Sequence, residues 1–240
     1  MRKRSSLLLA IIFYVLSVSA FDFSPLDEII SRGIADNSFP GAQLIIGNQY
    51  DILYERSYGN FTYDESSPVV IKSSMFDLAS LTKVVATTSA IMKLYEQSKI
   101  DLNDRVSKYI PEFSNNGKDD INILNLLLHN SGLKAFIPFY KYYNTKDEVL
   151  NAIYNAEFEY QANSKFLYSD LNAILLGVIV ERVTGMTLDE YCKKNIFAVL
   201  EMNSTTFIPD ENIRENILPT EYDNYWRNRL LKGEVHDESA

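Results

Sequence analysis

The sequence predicts an α+β fold: one helix and an antiparallel hairpin, followed by a mainly helical part built around a central amphipathic helix. Three observations carry this. Strand-like runs are confined to Leu44–Ile46 and Ile52–Tyr58, either side of a turn at 48–51. Apolar residues at Leu81, Val84, Val85, Ile91, Met92, Leu94 and Tyr95 recur at a three-to-four spacing. After Lys99 the strand signal nearly disappears while helix signals recur.

Residues 1–20 read as a secretory signal peptide. Arg2, Lys3 and Arg4 precede the apolar run Leu7–Leu16, and Val18, Ser19 and Ala20 form a small-residue cleavage site. The run is too short to span a bilayer comfortably, so cleavage after Ala20 is expected, with no stable membrane anchor left and a periplasmic or secreted location. Removing those three positive charges takes the formal net charge from −9 to −12, which argues against nucleic acid as a partner. Two histidines and one cysteine leave little for a transition metal, and no cofactor is expected. Cys192 has no partner for an internal disulfide.

The mature chain, 21–240, reads as one domain with a sheet part at 24–75 and a mainly helical part at 76–230. Ser24 and Pro25 start a helix to about Asp36, with Leu26, Ile29, Ile30 and Ile34 as its apolar stripe. Pro40 and Gly41 break it before the hairpin. The central helix is expected from Leu81 onward, with Ser80 at its mouth, and short helices at about Leu102–Tyr109, Ile121–His129 and Lys146–Asn155, with polar loops such as Ser114–Asp120 between them. A strong helix spans Ser169–Val183 and stops at Gly185. Thr187 and Glu190 form a capping box that opens one more, to about Val199. The tail from Pro209 is polar and weakly patterned.

The chemistry centres on Ser80 and Lys83. At the mouth of the central helix Ser80 reads as an N-cap, and Lys83, one turn on, lies on the same face with its amine in reach of the hydroxyl. Partial shielding from water lowers a lysine's pKa and lets it serve as a base, so the pair has the form of an activated nucleophile. A two-residue spacing is common by chance, and Ser131–Lys134 repeats it in what reads as a loop, between Gly132 and Pro138.

Distant residues support the first pair. Phe166–Asn172 with Leu175–Gly185, the stretch Phe76–Lys83, Leu126–Leu133, and Pro40–Gly41 together resemble the serine β-lactamases and penicillin-binding proteins. The likeness covers about residues 24–240 and is closest to the class C β-lactamases and their D,D-peptidase and esterase relatives. It implies a β-lactamase/transpeptidase-like fold and an acyl-enzyme on Ser80, with Lys83 as its partner and Tyr168 as acid/base. The implied substrate is a D-Ala-D-Ala peptide, including peptidoglycan peptides, a β-lactam or a simple ester. A phenol near an ammonium is suited to passing a proton between serine and leaving group.

Position 170 is Asp where the pattern usually has Asn, and it is carried over as a substrate-binding position. The carboxylate is expected either to pair with Lys83, making it a poorer base, or to cap the following helix. A Ser-Asp-Asn reading of 169–171 fails at Leu171. The third motif, Lys or His then a small residue then Gly, has no match after Tyr168, and Gly233–Ala240 looks like the part of related proteins leading up to it. The chain is therefore expected to stop just short of that motif and to lack one oxyanion donor, a loss of about 3–4 kcal/mol in barrier lowering. The alternative is a vestigial or binding protein that keeps the fold. A Ser-His-Asp triad has little support: His129 reads as a structural hydrogen-bonder, His236 lies in the tail, and no Gly-x-Ser-x-Gly elbow is present.

Overall fold

The computed structural model describes residues 21–237, so the expected signal peptide lies outside the described residues. The chain divides into two compact units, meeting in sequence between Lys72 and Ser73.

In the first unit, helix α1 (Ser24–Ala35) carries Pro25 in its first turn, where the missing N–H costs nothing. Phe23 is its N-cap, and Ile29 turns outward while Leu26, Ile30 and Ile34 are half-buried. Strands β1 (Gly41–Gly47) and β2 (Ile52–Gly59) pair antiparallel, with a register shift at Ile46/Gly47. The Asn48 carboxamide sets the turn by accepting the Tyr50 and Asp51 N–H groups at 2.7 and 2.9 Å. Asp27 ties α1 to β2, accepting from the Tyr54 and Tyr58 hydroxyls and from Arg56 Nη1 at 2.6 Å.

The second unit holds a larger, helix-built core. Its central helical run starts with a 3₁₀ turn (Ala79–Leu81), continues as a π-helical turn (Lys83–Thr88) and ends as helix α2 (Ser89–Glu96). Ala86, Ala90, Ile91 and Leu94 face the core. Leu81, Val84, Met92 and Tyr95, expected on the apolar face, are exposed, Val84 at 62%. For Val84 the cause is the π turn, which holds one residue more than an α turn, while Met92 and Tyr95, beyond it in α2, lie outside the sector of Ala90, Ile91 and Leu94. Counting back from Ile91 in steps of 3.6 reaches Val84, whereas the longer turn brings Lys83 inward instead. The Thr88 and Ser89 hydroxyls donate five residues back, to the carbonyls of Lys83 (2.8 Å) and Val84 (3.1 Å).

Helices α3 (Val106–Tyr109), α4 (Ile123–Leu127) and α5 (Lys146–Asn155) follow, the last opened by a Thr145/Glu148 capping box. The segment expected as a polar loop at 114–120 belongs to 3₁₀ turns over Pro111–Asp120, broken at Asn115–Gly117. There Lys118 is fully buried, donating to the Ala156 carbonyl at 2.8 Å, and burial holds its ammonium below the ordinary lysine value. Helix α6 (Asp170–Thr184) is buried on most sides and ends at Gly185, whose φ of +69° suits the left-handed cap. Helix α7 (Leu188–Cys192) opens on the Thr187/Glu190 box and runs into a second π turn, Lys193–Phe197. Burial pushes the Cys192 thiol up to about 11. Among the described residues no single helix is long and apolar enough to cross a membrane.

The tail is more ordered than its composition suggests. Strands β3 (Glu221–Asp223) and β4 (Arg229–Leu231) form a hairpin whose turn is held by Asp223, which accepts the N–H groups of Tyr225, Trp226 and Arg227 at 2.9–3.0 Å. Strands of three residues are too short to show a two-residue alternation, so periodicity missed them. Just before them, Ile217 bridges Met75 in parallel and fixes the segment leading to Ser80.

Leu175 sits at the centre of this core with no exposed surface. Leu175→Ala is expected to cost about 2–5 kcal/mol, from lost burial and the cavity left behind. The midpoint of urea unfolding measures it; a change under about 0.5 kcal/mol contradicts the packing described.

Candidate active site

Ser80 is not the N-cap the sequence suggests. It lies inside the 3₁₀ turn and makes no capping bond. The preceding Ala79 takes a φ of +44°, a left-handed conformation that non-glycine residues rarely adopt, and Asp77 accepts its N–H at 2.8 Å. The carboxylate of Asp77 thus holds the entry to the turn, and the exposed Ser80 hydroxyl is left for another partner.

That partner is Lys83, whose Nζ donates to Ser80 Oγ at 2.9 Å and to Asp170 Oδ1 at 2.8 Å. The same ammonium lies 5.0 Å from the centre of the Tyr168 ring. All four residues singled out from sequence, Ser80, Lys83, Tyr168 and Asp170, therefore converge on one nitrogen. Of the two roles open to Asp170, pairing with Lys83 is the one found; the residue opens α6 without a capping bond, since Ser169 is the N-cap.

This pairing overturns one electrostatic expectation. Burial pulls the Lys83 pKa down, but the hydrogen bond it donates to Asp170 and then its interaction with Tyr168, with their charges, outweigh it and hold the ammonium above the usual lysine value. That direction favours the ammonium form of Lys83 and makes it a poorer base.

Behind the site, His129, Ser131, Ser169 and Asn172 form a hydrogen-bonded group that the sequence signalled only as stretches of a motif. Ser131 Oγ donates to Asn172 Oδ1 at 2.7 Å, and Ser169 Oγ to the Lys134 carbonyl at 2.6 Å. Ser131, Ser169 and Asn172 have no exposed surface. The second serine–lysine spacing is thus a structural loop; its Gly132 has a φ of +90° and passes so close to the Tyr160 carbonyl that a Cβ would stand 2.5 Å from it. His236, the other histidine, pairs with Glu221 at 2.7 Å on the β3–β4 hairpin. Among the described residues no group of three or more His, Cys, Asp or Glu side chains is placed to hold a metal ion.

A profile of the beta-lactamase family matches residues 26–240. The chain belongs to the beta-lactamase family. A Bacillus subtilis protein described as N-acetylmuramyl-L-alanine amidase is 34% identical over 89% of this chain and 55% of its own length. An Escherichia coli putative D-alanyl-D-alanine carboxypeptidase is 34% identical over 90% of this chain and 56% of its own. The chain thus spans about half the length of the curated relatives it matches. A class C beta-lactamase structure superposes with a TM-score of 0.76 at 20% identity, covering 90% of this chain and 58% of that one. The β-lactamase/transpeptidase-like α+β fold expected from the motifs is the fold found.

Asp170→Asn is expected to lower the Lys83 pKa. Removing the carboxylate leaves burial opposed by Tyr168 alone, so Lys83 loses its proton sooner as pH rises. An NMR titration of the Lys83 side chain reads this directly. An unmoved Lys83 titration in the variant would show instead that Asp170 does not hold the ammonium.

Proposed function

We propose that this beta-lactamase family chain is a serine hydrolase acting through an acyl-enzyme on Ser80. What supports it most is a single nitrogen, Lys83 Nζ, held between Ser80 Oγ and Asp170 Oδ1 and against Tyr168. In the proposed acylation, Ser80 Oγ attacks the acyl carbon and its proton passes to the Tyr168 oxygen as the Tyr168 proton moves to the leaving amine or alcohol. The Lys83 ammonium stabilises negative charge developing on those oxygens. Water then repeats the sequence on the ester, releasing the acid and regenerating Ser80.

The proposed substrates are D-Ala-D-Ala peptides, β-lactams or simple esters, acted on outside the cytoplasm. The descriptions of the relatives favour the first two, and the pattern of residues 1–20 favours export. The test is labelling with fluorescent penicillin and with a fluorescent fluorophosphonate, followed by peptide mapping. A stoichiometric adduct on Ser80, competed by a D-Ala-D-Ala peptide, is the expected result. Silence with both probes would favour a vestigial site on a retained fold.

A further inference from the structure

We propose that His129 is the positioning residue for Tyr168: a neutral imidazole with its proton on Nε2, clamping residues 167–169 so that the phenol stays on the Lys83–Ser80 pair. This rests on the acid/base role proposed for Tyr168 above. His129 touches three consecutive residues of that segment. Its carbonyl accepts the Leu167 N–H at 2.8 Å, its ring lies 4.8 Å from the Tyr168 ring, and its Nδ1 accepts the Ser169 N–H at 3.1 Å.

The tautomer follows from the partners. Ser131 donates to Asn172 Oδ1, which orients the Asn172 amide so that its Nδ2 donates to His129 Nδ1 at 3.2 Å. Two donors therefore face Nδ1, and it can only accept. The histidine is itself held, in a left-handed conformation (φ +52°) just beyond the end of α4, with the Tyr160 hydroxyl also on its carbonyl.

Protonation of Nδ1 would set a hydrogen against both donors and a charge beside Lys83. The titratable groups facing the ring are Lys83, Tyr168 and Asp170. Burial and then the Lys83 charge hold the His129 pKa below its usual value, against the opposing pull of Asp170. The clamp is therefore intact at neutral pH and opens in acid, at a pH below 6.5, giving the acylation reaction an acid limb that belongs to His129.

Three variants and one spectroscopic arm test this. His129→Ala is expected to slow Ser80 acylation by a fluorophosphonate about 10- to 100-fold. His129→Asn, whose Oδ1 can accept the Ser169 N–H and which tolerates a left-handed backbone, is expected to recover to within about threefold and to lose the acid limb. An acid limb unmoved in His129→Asn would assign it to Asp170 and overturn the proposal. The spectroscopic arm needs no turnover. The Tyr168 13Cζ resonance should respond to Lys83→Met in the wild-type background and cease to respond in the His129→Ala background, and 15N spectra of the wild-type imidazole should show the Nε2–H form at pH 7. An equal response in both backgrounds, or an Nδ1–H form, overturns it even if Ser80 is never labelled; that silence by itself counts against the hydrolase reading alone.

Discussion

Ser80→Ala is expected to abolish covalent labelling and to lower hydrolysis of a chromogenic ester by at least about 10⁴-fold. The size of the effect rests on the lack of a substitute at this site. Ser131, which shares the spacing to a lysine, has no exposed surface and commits its proton to Asn172. Ser169 is equally buried and bonded to the Lys134 carbonyl. The fold should tolerate the change, since the Ser80 side chain is exposed and its bond to Lys83 is a surface one. Retained labelling, with an adduct mapped elsewhere, would place the chemistry on another nucleophile and remove the basis of the mechanism.

Lys83→Met is expected to cost about 10³-fold in acylation and to destabilise the fold as well, because it leaves the half-buried Asp170 carboxylate without its ion-pair partner. Lys83→Arg should not restore the rate: a planar guanidinium cannot direct compact donors to Ser80 and Asp170 at once from the same point. The two losses separate in the double variant. Lys83→Met with Asp170→Asn should regain most of the stability, read from the unfolding midpoint, and none of the activity. The linkage has a definite sign. The Lys83 pKa is raised by folding, so its contribution to stability is complete below the unfolded value of 10.5 and is lost as pH climbs through the folded one. An acylation rate unaffected by Lys83→Met would leave the ammonium without a role.

What the sequence revealed and what it hid divides along the range of the interactions. Helix ends set by neighbours in the chain were readable: Pro25 in the first turn of α1, Gly185 closing α6, and Thr187 with Glu190 opening α7. The convergence of Ser80, Lys83 and Tyr168 was readable through the resemblance, and the partner of Asp170 was narrowed to two options by charge alone. Features set by tertiary contact were not. The buried Lys118 sits in a stretch whose composition is that of a loop, and it is the distant Ala156 carbonyl, with the Phe113 ring, that holds it there. The β3–β4 hairpin depends on Asp223 gathering three backbone amides rather than on a glycine turn. That Lys83 and not Val84 turns inward was missed because a 3.6-residue period assumes that every turn is an α turn.

That wider turn at 83–88 also bears on how this chain can vary. It is a place where the helix already carries a spare residue, so a shortened chain could close it into an ordinary turn and still point an amine at Asp170. An extra residue a few positions later would have no such slack, and would swing the serine and lysine about a hundred degrees around the helix axis, away from the phenol. Length changes in this helix are thus asymmetric in their consequences, with loss at the wide turn the gentler of the two.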